Sequence, residues 1–309
     1  MRVNRTVAIS VCKNRVVLLA LFITVCTAVF PLVTKADTQA GPPKPGQESM
    51  IAFRRIQCSI EDNKPVVYGW NGSTFSRVPG EPDRLLFKVT GMNIRQCVTV
   101  EDPDKGTGFR MVSREILLYQ DPVTGEILDT WENPWTGETV NVIQIENDPV
   151  NQRPMFATGR DGKPFTMPFQ IIGDQWWLTS TIPLFYTNPL GGDYQDFVGG
   201  KYHATEMFNF FGDVSDLDPK AGDTANIRIG WVRMSDWLPW MQMRGRAGTI
   251  YFHTAGRKLE NFEQLPDIMK NFIDTKYPKY REPPPGDDPR PNETSWTYFK
   301  KVFDAAAAP

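Results

Sequence analysis

The sequence predicts a mainly β protein: an antiparallel meander curled into a barrel-like or sandwich sheet, with one or two C-terminal helices packed on it. Three observations carry this. Turn chemistry recurs every ten residues or so, at Asn71-Gly72, Pro79-Gly80, Asp102-Pro103, Asp121-Pro122 with Gly125, Asn133-Pro134 with Gly137, and Asp161-Gly162. The segments between turns alternate apolar and polar residues, the period of a strand with one buried face. No helical segments are interleaved among them, so the strands pair with one another, and a long antiparallel sheet protects its edges by closing or curling.

Along the chain, Arg2, Arg5, Lys13 and Arg15 precede an apolar stretch over 16–30, then Pro31 and a small-residue site ending at Ala36. That is the order of a secretory signal peptide, with cleavage expected after Ala36. The apolar stretch is shorter than the roughly 20 residues a membrane helix needs. The processed protein is therefore expected to carry no stable membrane span and to be periplasmic or secreted. Cleavage removes five basic residues and no acidic one, leaving a mature chain more acidic than the formal charge of -2. With no basic excess to neutralise phosphates, nucleic acid is not an expected partner.

Residues 37–50, with Gly41-Pro42-Pro43-Lys44-Pro45-Gly46, read as a proline-rich lead, and 51–309 as a single β-rich domain. Strands are predicted over 66–70, 74–78, 84–89, 94–100, 109–119, 127–131, 139–145, 166–172, 176–186, 201–211, 226–234 and 249–253. Leu265, Ile268, Met269, Phe272 and Ile273 recur at three-and-four spacing and predict a helix over 263–275. Pro283-Pro284-Pro285-Gly286 stops regular structure, and 296–303 reads as a short closing helix.

Several strings are long and unusual: Ser113-Arg114-Glu115, Tyr119-Gln120-Asp121-Pro122-Val123-Thr124-Gly125-Glu126, Trp131-Glu132-Asn133-Pro134-Trp135-Thr136-Gly137-Glu138, Asn147-Asp148-Pro149-Val150-Asn151 and Trp237-Leu238-Pro239-Trp240-Met241. Together with Asn292-Glu293-Thr294-Ser295-Trp296, they resemble an exported family catalogued as domain of unknown function 1838, over about 51–303. The resemblance implies membership and compatibility with export. It implies no activity, substrate or catalytic residue.

Chemistry has few candidate carriers. His203 and His253 are the sole histidines, and no phosphate-cradling glycine loop or nucleophile elbow is present, so neither a metal nor a cofactor is expected. The loop holding Asp213, Asp216, Asp218 and Asp223 lacks the glycine and terminal glutamate of a calcium-binding hand and reads as a solvated acidic turn. In a strand, Tyr202 and Glu206 share a face, expected to point inward, and a carboxylate among aromatics suits general acid or base work. Glu206 serves equally as the structural partner of an arginine. Of Arg228 and Arg233, on opposite strand faces, one points inward to hold a ligand oxyanion or to neutralise Glu206. His253 reads as a catalytic candidate or a satisfied core residue.

Trp231, Trp237, Trp240 and Met241 form an aromatic and thioether wall, suited to an apolar ligand or to the core. Cys58 and Cys97, the cysteines left after processing, read as a disulfide or as two buried thiols. The leading expectation is an exported, cofactor-independent protein that takes up an apolar or aromatic small molecule inside its sheet and could transform it by acid–base chemistry. The alternative is a non-catalytic cell-envelope interaction or structural module.

Overall fold

The computed structural model describes residues 42–187, 201–218 and 220–307. The expected signal peptide and its cleavage site lie outside the described residues. The chain begins with helix α1 (Gln47–Gln57) and continues through β1 (Val66–Arg77), β2 (Arg84–Asp102), β3 (Gly106–Gln120), β4 (Thr130–Glu132), β5 (Thr139–Asn141), β6 (Ile145–Asn147), β7 (Met155–Phe156) and β8 (Gln170–Ile172). Then come β9 (Gln175–Thr187), β10 (Lys201–Asp213), β11 (Arg228–Ser235), β12 (Thr249–Leu259), α2 (Asp267–Lys276) and α3 (Ser295–Ala307).

Ten strands form one antiparallel sheet in the order β6-β3-β2-β1-β12-β11-β10-β9-β8, with β7 also pairing β3. Two meanders, β1 to β3 and β8 to β12, are zipped together where β1 pairs β12 from Val67 opposite Leu259 to Arg77 opposite Thr249. The predicted mainly β, antiparallel architecture with C-terminal helices is the one observed. The sheet does not close into a barrel. β8 covers only the first residues of β9, so 178–187 have no strand partner on their outer side among the described residues. At the opposite rim, β3 is flanked by β6, β7 and the segment between them, where Val150 N donates to Ser113 O (2.7 Å) and Gln152 N to Met111 O (2.9 Å).

One expected turn and one expected break between strands are strand interior instead. Asn71-Gly72 reads as a hairpin, yet β1 runs straight through it. A Cβ on Gly72 would lie 2.2 Å from the His253 carbonyl oxygen, so the glycine serves close approach of β12 rather than chain reversal. Likewise the predicted strands 84–89 and 94–100 are one strand, in which Gly91 leaves room for the Trp70 indole, 2.2 Å from where a Cβ would stand. Gly80, Gly125, Gly137 and Gly162, by contrast, hold positive φ in real turns.

Helix α1 was not expected, and it takes over 47–50 from the predicted lead. Its apolar period is masked because Arg54, Arg55 and Gln57 are buried beside Met50, Ala52 and Ile56. Each of the three is held by partners: Arg54 by Asp62 (2.6 Å), Arg55 by the Asp218 carbonyl (2.6 Å), and Gln57 by Arg95 (2.7 Å). The Cys58–Cys97 disulfide follows directly and ties the end of α1 to β2.

The convex face of β1 to β3 is covered by α2. Val67, Met92, Ile94, Ile116 and Leu118 meet Leu265, Met269, Phe272 and Ile273, the face that the helical spacing predicts. Burial of each large side chain here contributes on the order of 2 kcal/mol. The segment from α2 to α3 is clamped by Asp148, which accepts from Arg114 Nε (2.9 Å), Lys279 Nζ (2.7 Å) and Arg290 Nη2 (2.9 Å). No helix among the described residues is long and apolar enough to cross a membrane.

Candidate functional site

Alternation along each long strand sends one set of side chains to the concave face: Tyr68 and Trp70 from β1, Asn93 and Arg95 from β2, Ser113 and Glu115 from β3. Ile182 and Leu184 from β9, Glu206 and Phe208 from β10, and Trp231 and Arg233 from β11 meet them across a cavity of about 630 Å³. Glu115 and Glu206 stand five strand positions apart, roughly 24 Å in a flat sheet at ~4.8 Å per strand. Curling brings them close enough for the charge on one to disfavour charge on the other. The cavity is lined both by residues 178–184 on the unpaired rim and by 150–152 and 292–295 on the other, so it lies at the gap between the two sheet edges.

An apolar cluster lies toward each end of the strands. At one end Trp240 meets Phe87, Tyr119 and Trp131 with ring centroids 5.3 to 6.1 Å apart, and Trp237, Met241 and Phe252 join the same cluster. At the other, Tyr68 and Trp176 pack with Ile56, Leu217 and Ile227.

Of the three glutamates that line the cavity, Glu293 pairs with Lys301, and Glu115 and Glu206 are placed by strand register. Glu206 lies opposite Arg233 in the β10–β11 ladder, and its Oε1 accepts from Arg233 Nη1 at 2.7 Å. Glu115 lies opposite Asn147 in the β3–β6 ladder and accepts from Asn147 Nδ2 at 2.7 Å. Burial pushes the Glu115 carboxyl up, the neighbouring Glu206 adds to this, and the Asn147 hydrogen bond and the charges of Arg233 and Arg95 oppose it. The pair is thus a salt-bridged carboxylate beside a carboxyl that holds its proton more tightly than an exposed acid does, an arrangement able to move a proton to or from a bound molecule.

The expected residues fall into three groups. Glu206, Arg233 and Trp231 line the cavity. Tyr202 shares the inward face as expected but is fully buried outside the cavity wall, against Trp296 with 4.1 Å between ring centroids. Trp237, Trp240 and Met241 are core, because the turn at Pro239–Met241 folds them onto Phe87 and Tyr119 instead of opening them to a ligand. The remaining two face away. His253 is exposed on the convex side, across from Ser73 and Val232, and Arg228 is on that side too, donating to Gln175 Oε1 at 2.7 Å. Neither reaches the site.

The acidic loop is knit to basic side chains: Asp223 pairs with Lys64 (3.0 Å), and Arg55 is held by the charges of Asp216, Asp218 and Asp223. Among the described residues no group of three or more His, Cys, Asp or Glu is disposed to hold a metal. Glu115, Arg95 and Asn147 escaped sequence reasoning. Their one available signal was polar residues on a strand face that is otherwise apolar, and it becomes visible only once register is known.

Fold and site together define a curled, open antiparallel β cup with a largely apolar interior and a few buried charges. Residues 63–303 match the model of the family described as protein of unknown function (DUF1838), and the chain belongs to that family. No curated protein matches it.

Proposed function

We propose that the protein is exported and binds an apolar or aromatic small molecule inside the cup. The observation that carries the reading is the cavity itself: its volume lies within the range of small-molecule sites, and its apolar walls surround one cluster of polar groups able to orient a guest. Glu115 and Glu206 give the same cavity the means of proton transfer, so transformation of the guest is a natural extension of binding it. The Cys58–Cys97 bridge supports an oxidising compartment and hence export.

Native mass spectrometry of the protein freshly purified from its own host's extracytoplasmic fraction tests both parts. The expected spectrum shows a chain beginning near Asp37 with an extra mass that solvent extraction removes. Repeated absence of any bound molecule would remove the binding reading, and an intact N-terminus in the membrane fraction would show an uncleaved anchor in place of a signal peptide.

A further inference from the structure

Of the arginines that reach into this protein, Arg233, Arg54 and Arg114 are matched with the carboxylates of Glu206, Asp62 and Asp148, while Arg55 and Arg110 donate to backbone carbonyls. Arg95 is different. Its Nε donates to Asn93 Oδ1 and its Nη1 to Gln57 Oε1, both at 2.7 Å, and its guanidinium lies 4.6 Å from the centroid of the Tyr68 ring. All three partners are neutral, and no carboxylate among the described residues forms an ion pair with it.

The arrangement is rigid as well as free of an ion pair. Asn93 is itself fixed by a contact to Ser113 Oγ at 3.3 Å, and Gln57 closes helix α1. The guanidinium is therefore held through Nε, through Nη1 and by one face. Its Nη2 makes no hydrogen bond among the described residues and is not sealed off, so it remains accessible at the cavity wall. A buried cation with neutral partners is costly unless an anion joins it. A planar fork held through two of its nitrogens presents the third to such an anion. Glu115 lines the same cavity but forms no ion pair with Arg95, and burial makes its carboxyl hold a proton more tightly than an exposed acid does.

We propose that the cup is specific for apolar monocarboxylic acids, with the ligand carboxylate seated on Arg95 and its apolar body against Trp231, Phe208, Ile182 and Leu184. This rests on the binding reading above and names the ligand class for it. An alkyl chain acid and an aromatic acid share the required chemistry, and two probe pairs separate them.

Isothermal titration of the full-length protein with laurate against lauryl alcohol, and with naphthoate against naphthalenemethanol, tests the proposal. In at least one pair the acid should bind about tenfold or more tightly than its neutral match. Arg95→Met should bring the two within about threefold while the alcohol keeps its affinity, Arg95→Lys should keep part of the preference, and Arg228→Met on the convex face should change nothing. Neutral probes binding as tightly as acids to the unaltered protein would overturn the carboxylate site and leave the binding reading standing, even if Arg95→Met does not fold. An acid preference that survives Arg95→Met would overturn it too. Failure of all four probes to bind would sink both.

Discussion

At the scale of single residues, the Glu206–Arg233 pair shows what a carboxylate does in this interior. Both side chains are mostly buried, at 19% and 11% exposure, and each is presented to the other by cross-strand register. Glu206→Gln keeps the shape but leaves Arg233 without its carboxylate. Unfolding in urea should show a loss of about 2 kcal/mol, recovered in part by adding Arg233→Met. A Glu206→Gln protein that melts like the parent would instead free Glu206 for a purely chemical role. The inward direction of Glu206 and Tyr202 was legible because strand alternation needs no knowledge of neighbours. Arg95 was not, because its meaning lies in the absence of a carboxylate beside it, a property of the packed molecule. His253 misled for a related reason: its strand was recognised, but which face turned inward depended on how β12 zips to β1.

At the scale of elements, long strands were legible wherever glycine marked a turn and illegible where glycine marked contact. Gly72 and Gly91 carry the same residue type as the turns at Gly80 and Gly125, yet they sit where a neighbouring carbonyl or indole takes the place of a side chain. Helix α1 was hidden by arginines whose burial depends on partners far along the chain. Its attachment through Cys58 and Cys97 closes a loop with a sequence separation of 39. The chain-entropy relation gives such a closure about 4 kcal/mol. Replacing both cysteines by alanine should lower unfolding free energy by roughly this amount, with a smaller loss if the unfolded chain keeps local structure. Loss of less than about 1 kcal/mol would show that packing of Met50, Phe109 and Met111 around the bridge holds α1 without it.

At the scale of the whole molecule, buried acids shifted in opposite directions shape the response to acid. Burial pushes the Asp148 carboxyl up, but hydrogen bonds from Arg290, Lys279 and Arg114 outweigh it and hold the group at about 2 against an ordinary 3.8. A depressed folded-state value stabilises the fold above the unfolded value, and the benefit is lost as pH falls from about 4 to about 2. Glu115 and Glu146 run the other way, since burial raises both above 4.5 and the folded state binds their protons more tightly. Their contribution grows as pH falls through the raised values toward 4.5. Urea denaturation across pH should therefore show stability rising on mild acidification from neutrality and dropping steeply below about 4. A steady decline from pH 7 downward would contradict the raised values.

The sheet's two rims also fail to meet. A closed hoop of strands has its bore fixed by stave number and stagger. A split ring does not: small changes in coil between successive strands add up at the lips, so the bore can widen or narrow without breaking a ladder hydrogen bond. Pro183 on the free lip discourages another chain from bridging the split. The girth of an admitted guest is then governed by the stiffness of a spring.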